Sequence, residues 1–192
     1  MKRKAVLLSW LLFSTHPAQA IDELATGIQL FESNQLVVAQ EFFESYVQEH
    51  ATDAVGSFYL GRTFFARQQY EQAALWLERA VVLDSRNSDY HLWLGRAYGL
   101  LARHASVLWQ FPLARKTRAH FEKAVALNPD NLAARADLLE YYLKAPRSIG
   151  GGKEKAEAQA HEIAKRDLHE GLQAWKMIAE EEAERHMRAK KR

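Results

Sequence analysis

A segment that recurs at a fixed spacing constrains this chain more than any other feature. Tyr59-Leu60-Gly61-Arg62 is followed about 34 residues later by Trp93-Leu94-Gly95-Arg96. Around the first copy, residues 54–87 carry apolar side chains at helical spacing on both sides of a short polar turn, which predicts two short amphipathic helices. Because a single helical hairpin is too small to bury its apolar stripe, the recurrence predicts a row of hairpins in which each covers the next.

Further copies extend the pattern in both directions. Gly27 stands one interval before Gly61, and residues 120–129 repeat the helix ending of residues 76–85. In this register the sequence resembles the tetratricopeptide repeat (TPR) family. The resemblance is carried by Gly61, Phe64, Ala73, Leu77 and Ala80 in one repeat and by Gly95, Tyr98, Phe121, Ala124 and Pro129 in another. It implies an all-α, TPR-like helical-hairpin solenoid, a right-handed superhelix of about four hairpins with a C-terminal capping helix.

The register also predicts where the repeats and an insertion lie. Repeats are predicted at residues 21–53, 54–87, 88–131 and 132–167, with a capping helix and basic tail at residues 168–192. In the third repeat, Tyr98 and Phe121 are about ten residues further apart than in the family, so an insertion is predicted between the two helices, within residues 102–115.

The insertion is unusually apolar for a connection between helices. It contains Leu108, Trp109 and Phe111. Two interpretations are open. In the first, a lengthened helix packs these side chains on the next repeat. In the second, they form an exposed patch through which a structural subunit self-associates or joins an envelope complex, which makes a homo-oligomer a possible state.

The first twenty residues are typical of a secretory signal peptide. Lys2-Arg3-Lys4 precedes an apolar run at residues 5–13, and Ala18-Gln19-Ala20 is a small-residue cleavage site. A permanent anchor needs about 17–25 apolar residues, so cleavage at about Ala20/Ile21 is predicted and no stable membrane insertion after it. The expected location is the periplasm of a bacterium, or the medium.

Charge and cysteine content exclude several classes of function. Three of the 26 Lys and Arg residues lie in the leader, whereas none of the 24 Asp and Glu residues does, so the mature chain is close to neutral. A nucleic-acid partner is therefore not predicted. The chain has no cysteine, which excludes disulfides, thiolate catalysis and cysteine-based zinc sites.

No motif for catalysis or for a metal or other cofactor withstands inspection. The segment Gly150-Gly151-Gly152-Lys153 lacks the Ser or Thr that a phosphate-binding loop needs after its lysine, so a flexible joint between helices is predicted, with anion binding at its N–H groups as the alternative. His161-Glu162 has Lys165 where a zinc-protease helix needs its second histidine. The remaining histidines are interpreted as surface or edge residues, and the protein is predicted not to be an enzyme.

The TPR resemblance implies that the first helix of each hairpin lines a concave groove for a peptide or helix of a protein partner. Carried over by register, the lining residues are Phe58, Arg62, Phe65, Leu92, Arg96, Leu100, Ala136, Glu140 and Leu143. Arg62 and Arg96 hold equivalent positions, so together they would clamp a carboxylate; the alternative is that each pairs with an acidic side chain of a neighbouring repeat. The resulting hypothesis is a non-enzymatic adaptor or scaffold of the bacterial cell envelope.

Overall fold

The computed structural model describes residues 17–191, with side chains from residue 23 onward. Within that range the chain forms nine α-helices and a short 3-10 turn at Arg147–Ile149, and no strand. The helices are α1 (Pro17–Glu32), α2 (Leu36–Glu49), α3 (Ala54–Ala66), α4 (Tyr70–Leu83), α5 (Ser88–His104), α6 (Val107–Leu127), α7 (Leu132–Lys144), α8 (Lys153–Ala164) and α9 (Leu168–Lys190). Most of the predicted leader lies outside the described residues, and α1 runs across the predicted cleavage point at Ala20.

The helices pair along the chain into four hairpins, which are α1/α2, α3/α4, α5/α6 and α7/α8. The first helices of successive hairpins also touch one another, because α1 contacts α3, α3 contacts α5 and α5 contacts α7. One continuous face is therefore built from the first helices alone. This arrangement confirms the predicted all-α, TPR-like solenoid.

Side-chain caps fix the starts of these first helices. Asp53, Asn87 and Asn131 each stand immediately before a first helix and accept hydrogen bonds from its opening N–H groups. The Asp53 carboxylate accepts from the Val55 N–H at 2.8 Å, and the Asn131 amide oxygen accepts from the Ala134 N–H at 3.0 Å. Such caps typically stabilise a helix by about 1 kcal/mol, and their repetition sets the start of each hairpin.

The repeat glycines mark the closest approach of the two helices in a hairpin. A Cβ atom on Gly61 would lie 2.7 Å from Cγ of Leu77, and one on Gly95 would lie 2.6 Å from Cδ1 of Phe121. Both distances are shorter than real Cβ contacts, so any larger residue would force Leu77 or Phe121 to shift. The two glycines play the same packing role one repeat apart, which confirms the register taken from the sequence.

The insertion in the third repeat is not a loop. It lengthens both helices of the hairpin, because α5 has 17 residues and α6 has 21, whereas α3 has 13 and α4 has 14. Only Ala105 and Ser106 separate the two long helices. The added residues predicted within 102–115 are thus accommodated as extra helical turns, which is the lengthened helix of the first interpretation.

The glycine segment after α7 is a hydrogen-bonded turn rather than a flexible joint. The Gly150, Gly151 and Gly152 N–H groups donate to carbonyl oxygens of Arg147, Pro146 and Tyr142 at 2.9–3.1 Å. Gly150 has a φ of +94°, a left-handed conformation that favours glycine. Because all three N–H groups are already satisfied within the chain, the anion-binding alternative at these groups is not supported.

Helix α9 packs on α8 and α7 at the C-terminal end of the row. Its covered stripe consists of Gly171, Ala174 and Ile178, with Trp175 half-buried beside it. The helix thus covers the last apolar face of the array, as a capping element does.

Candidate functional site

A cleft of about 460 Å³ opens where the first helices of the last two hairpins meet α6. Of the residues assigned to the groove by register, it brings together Phe65, Arg96, Leu100 and Glu140. Its other walls include Gly99, Arg103, Thr117, Phe121, Asp137, Tyr141 and Ile149. The lining is largely apolar, with charged side chains contributed by α5 and α7, and the volume suits one or two large side chains of a ligand.

Three of the residues assigned to the groove have a different place. Phe58, Leu92 and Leu143 are buried between helices, and Phe58 packs against Tyr90 with ring centroids 4.7 Å apart. They hold successive repeats together and offer almost no surface to a ligand, so we correct their assignment to packing residues. Their helical positions lie beside the concave face, but the rotation of each helix turns the side chains inward.

Arg96 is neutralised within the array. Its Nε lies 2.5 Å from Oδ2 of Asp137, one repeat further along, and both side chains are mostly covered. Asp137 shares a helix face with Glu140, and such an acidic pair is typical of a solvated face; Asp137 instead lines the cleft and fixes Arg96. For Arg96, the alternative of pairing with a neighbouring repeat is therefore the arrangement found.

Arg62 occupies the equivalent position without such a partner. Its guanidinium carbon lies 4.7 Å from the ring centroid of Phe31 and 4.5 Å from that of Trp93, so two aromatic rings enclose it. Within residues 17–191 it forms no ion pair, and its Nε is buried and makes no hydrogen bond. Burial lowers the pKa of Arg62 and the charge of Arg96 adds to this, whereas Tyr59 and the more distant carboxylates of Asp89 and Glu32 partly offset it.

Trp93 connects Arg62 with the cleft. The guanidinium carbon of Arg96 lies 4.6 Å from the centroid of the Trp93 ring, which Arg62 also contacts, and Phe65 meets the same ring edge-on at 5.3 Å. Sequence reasoning missed Phe31 and Trp93 as parts of the site. The register could have indicated Trp93, since it stands one turn before Arg96 on the first helix of its hairpin. Phe31, the other ring that contacts Arg62, could not be found in this way because it belongs to the first hairpin, two hairpins before Trp93.

The apolar insertion lies at the far end of the third hairpin, in a segment that we call the tip (residues 107–111). Val107, Leu108, Trp109 and Phe111 are 72%, 78%, 61% and 48% exposed. The interpretation in which these side chains pack on the next repeat was therefore wrong, although Leu113 just beyond does pack against the core. A crevice of about 390 Å³, bounded by Phe111, Ala114 and Lys144 among others, joins the tip to the edge of the cleft.

Two histidines, interpreted as surface or edge residues, form a pair in the packing between α5 and α6. Nδ1 of His91 lies 3.0 Å from Nδ1 of His120, and Nε2 of His91 lies 3.2 Å from the Ser85 carbonyl oxygen. Because that carbonyl can only accept, His91 carries its proton on Nε2 and accepts at Nδ1 from the His120 N–H. Burial lowers the pKa of His120 to about 4, and the two adjacent imidazoles disfavour protonation of one another.

Other site types find no support in the described part of the chain. No group of three or more His, Asp or Glu side chains in residues 17–191 is arranged to hold a metal ion. None of the helices in that range is both long and apolar enough to cross a membrane.

Comparison of sequences finds one segment similar to a known repeat. Residues 61–101, which run from the glycine of α3 to the last part of α5, match the family model described as a TPR repeat. No curated protein matches the chain.

Solved structures share the fold at low sequence identity. A thermophilic TPR protein of Thermus thermophilus superposes with a TM-score of 0.65 at 19% identity, covering 84% of this chain and 91% of that one. The first TPR of Spaghetti (RPAP3), solved with the HSP90 peptide SRMEEVD, gives 0.57 at 15% identity, covering 66% and 92%. The Thermobaculum terrenum O-GlcNAc transferase gives 0.64 at 21% identity, but its match covers 78% of this chain and only 26% of the transferase. These likenesses concern the fold.

Proposed function

We propose that this TPR-like chain is a non-enzymatic adaptor that binds a peptide or helix of a partner protein along its concave face. A structural neighbour holds a peptide, since the Spaghetti structure contains an HSP90 segment. In the present chain the cleft supplies apolar surface and Arg96 lines it, and the guanidinium groups of Arg62 and Arg96 both contact the half-buried Trp93 ring.

The observation that carries the proposal is the unequal state of the two equivalent arginines. Arg96 already has a carboxylate partner in Asp137, so it fixes one wall of the cleft. Two aromatic rings replace part of the water around the Arg62 guanidinium, and no carboxylate of residues 17–191 forms an ion pair with it. Supplying a carboxylate to a partly desolvated guanidinium is strongly favourable, because charge-assisted hydrogen bonds contribute about 1.5–3 kcal/mol.

The preferred ligand is therefore an acidic segment with a neighbouring large apolar residue. Its Asp, Glu or terminal carboxylate binds Arg62, and the apolar side chain enters the cleft next to Phe65 and Leu100. The family's chaperone-binding clamp uses asparagines at positions that are here Ile28 and Arg62. The expected ligand is therefore a different acidic sequence from that clamp's.

Peptide selection followed by affinity measurement tests this function. Peptides selected on the protein from a random library are expected to be enriched in acidic and aromatic or aliphatic residues. Arg62→Ala is expected to weaken the best peptide by about tenfold or more, since each 1.4 kcal/mol is a factor of ten. Arg79→Ala is the matched control, because Arg79 also lies over a tryptophan ring, Trp76 at 5.3 Å, but on a second helix.

Two results would contradict the proposal. One is that selection yields no acidic peptides. The other is that the variants at Arg62 and Arg79 lower affinity equally, in which case the concave face is not the binding surface.

The cellular location is part of the same proposal. The basic start, short apolar run and Ala18-Gln19-Ala20 of the sequence support export across the inner membrane and an adaptor role in the cell envelope. Fractionation of cells with N-terminal sequencing of the accumulated protein is the direct test. A mature chain beginning near Ile21 in the periplasmic fraction is expected, and a full-length chain in the cytoplasm would contradict it.

A further inference from the structure

The tip protrudes from the body of the molecule. Residues 106–112 are all exposed, and successive residues of a helix are turned by about 100° around its axis. Because every side of the helix is exposed over these seven residues, the first turns of α6 extend beyond most of the array, and only their Gln110 and Phe111 border the crevice toward Lys144. The proposed peptide cleft lies behind this segment and does not use it.

The protruding hairpin is also strongly cationic. No Asp or Glu occurs between Asp89 and Glu122. The cations of this stretch are Arg96, Arg103, Arg115, Lys116 and Arg118. Arg103 and Arg115 are exposed and form no ion pair within the part of the chain that the structure describes. The apolar tip is therefore flanked by the uncompensated positive charges of Arg103 and Arg115.

The order of these groups along α6 is specific. Leu108, Phe111 and Arg115 follow one another at spacings of three and four residues, so they share one helix face. Trp109 and Lys116 share another, seven residues apart. At 1.5 Å per residue, the cations stand roughly 9 Å behind Trp109 along the helix axis. Apolar side chains thus occupy the first turns of α6, and cationic residues follow about two turns further along the helix.

We infer that the tip docks on an anionic lipid bilayer. The apolar residues enter the boundary between headgroups and acyl chains, where amphipathic elements reach a depth of about 5–10 Å. At that depth the cationic residues Arg103 and Arg115 meet the lipid phosphates, whereas the Lys116 ammonium is held over the Tyr98 ring, 4.6 Å from its centroid. Tryptophan is favoured at this boundary because its ring is apolar and its N–H is polar. The contact is interfacial and needs no helix that spans the bilayer.

Charge and shape favour a bilayer over a protein partner. A symmetric contact between two copies would bring the same cations face to face, since a two-fold interface uses one patch twice. In a protein interface of high affinity, the main side chains of one partner usually fill pockets on the other. A protein partner of the tip would need a separate pocket for each of several apolar side chains that point in different directions. A fluid, negatively charged surface accommodates a convex, cationic wedge without such a match.

Vesicle flotation tests the inference with the protein in the form that cells accumulate. Vesicles of phosphatidylcholine with phosphatidylglycerol are compared with vesicles of phosphatidylcholine alone. Binding is expected to the anionic vesicles and to be at least tenfold weaker to the neutral ones. The double variant Trp109→Ser with Phe111→Ser is expected to weaken binding at least tenfold, and Arg103→Gln with Arg115→Gln roughly twenty-five-fold, at about fivefold per cation.

Matched controls keep the outcome decisive. Val82 is 82% exposed on α4, away from the tip, so Val82→Ser removes a bare apolar side chain without affecting binding. Quenching of tryptophan fluorescence by brominated acyl chains should be seen with the wild type and be largely lost in Trp109→Phe. Absent vesicle binding, or equal binding by the tip variants and Val82→Ser, overturns the inference. So does a wild-type dimer that the tip substitutions convert to monomer while vesicles stay unbound.

Discussion

The second and third hairpins, α3/α4 and α5/α6, share the same close glycine contact between their two helices. They differ in helix length, in the pairing of the equivalent arginine and in the presence of a histidine pair. Gly61 against Leu77 and Gly95 against Phe121 bring the two helices together in the same way. Yet α6 is 21 residues long where α4 has 14, Arg96 is paired where Arg62 is not, and a histidine pair joins α5 to α6. The close helix contact fixes the fold, whereas the surrounding positions are free to acquire a ligand site or an extension.

Under the proposed function, the difference between the two arginines is what makes one repeat a binding site. In the third repeat the carboxylate comes from the next hairpin, so the charge is used for structure. In the second repeat two aromatic rings take the place of that carboxylate, and the charge remains available to a ligand. The repeat register therefore predicts where an arginine lies but not whether it already has a carboxylate partner.

A single added methyl group at either repeat glycine should disrupt the helix contact that the two hairpins share. Gly61→Ala and Gly95→Ala are each expected to lower the free energy of unfolding by about 2–3 kcal/mol, because the new Cβ would overlap Leu77 or Phe121. Gly99→Ala on the same helix as Gly95 is the control. Its Cβ would meet Thr117 at 3.5 Å, so a gain of up to about 1 kcal/mol is expected from helix propensity.

Urea unfolding followed by circular dichroism measures all three variants. If Gly95→Ala proves as stable as Gly99→Ala, the two helices of the third hairpin do not approach each other as described.

The histidine pair makes the third hairpin sensitive to acid. The folded-state pKa of His120 is lowered from 6.5 to about 4, so the unfolded chain binds the extra proton first as the pH falls. The free energy of unfolding should therefore decrease between about pH 7 and pH 4, by on the order of 2 kcal/mol. His120→Gln should flatten this dependence while His169→Gln, an exposed control, retains it. Identical pH profiles for both variants would exclude the pair as the cause.

The two arginines should respond oppositely to an apolar side chain of similar length. Arg62→Met places a thioether between Phe31 and Trp93 and removes a desolvated charge, so the protein should become more stable by about 1 kcal/mol. Arg96→Met leaves Asp137 without its partner and should cost about 1 kcal/mol, a modest value because both groups keep some solvent contact. Thermal unfolding of the two variants measures the difference in stability. A loss of stability in Arg62→Met would contradict the conclusion that the charge of Arg62 has no partner within the fold.

The tip should contribute least to stability. Trp109→Ser removes a side chain that is 61% exposed, so the free energy of unfolding is expected to change by less than about 0.5 kcal/mol. Chemical denaturation tests this, with Trp93→Ser as a variant of the same chemistry in a half-buried position. Equal losses in both would mean that the tip packs against the body.

Much of the fold could be predicted from the sequence because its determinants are periodic. The spacing of Gly61 and Gly95, with apolar residues at helical intervals, predicts hairpins, their order and their close contacts. The helix caps at Asp53, Asn87 and Asn131 fall in the same register. Contacts between successive hairpins then follow from repetition of one unit.

The candidate site was less accessible because it depends on helix rotation and on contacts between repeats. Phe58 and Leu92 turn inward although their helices line the groove. The Arg96–Asp137 pair and the His91–His120 pair join residues far apart in the sequence with no motif that marks them. The apolar composition of residues 107–111 allowed both a packed and an exposed helix, and only the length of α6 beyond its neighbours decides between them.

The most direct test of the central claim is a double-mutant cycle between Arg62 and the acidic residue of a selected peptide. Affinities of wild type and Arg62→Met are measured by calorimetry for the peptide and for its Glu→Gln or Asp→Asn form. A coupling energy of at least about 1.5 kcal/mol is predicted, against nearly none for the same cycle with Arg96→Met. Additive effects at Arg62, or larger coupling at Arg96, would contradict the assignment of Arg62 as the carboxylate-binding group.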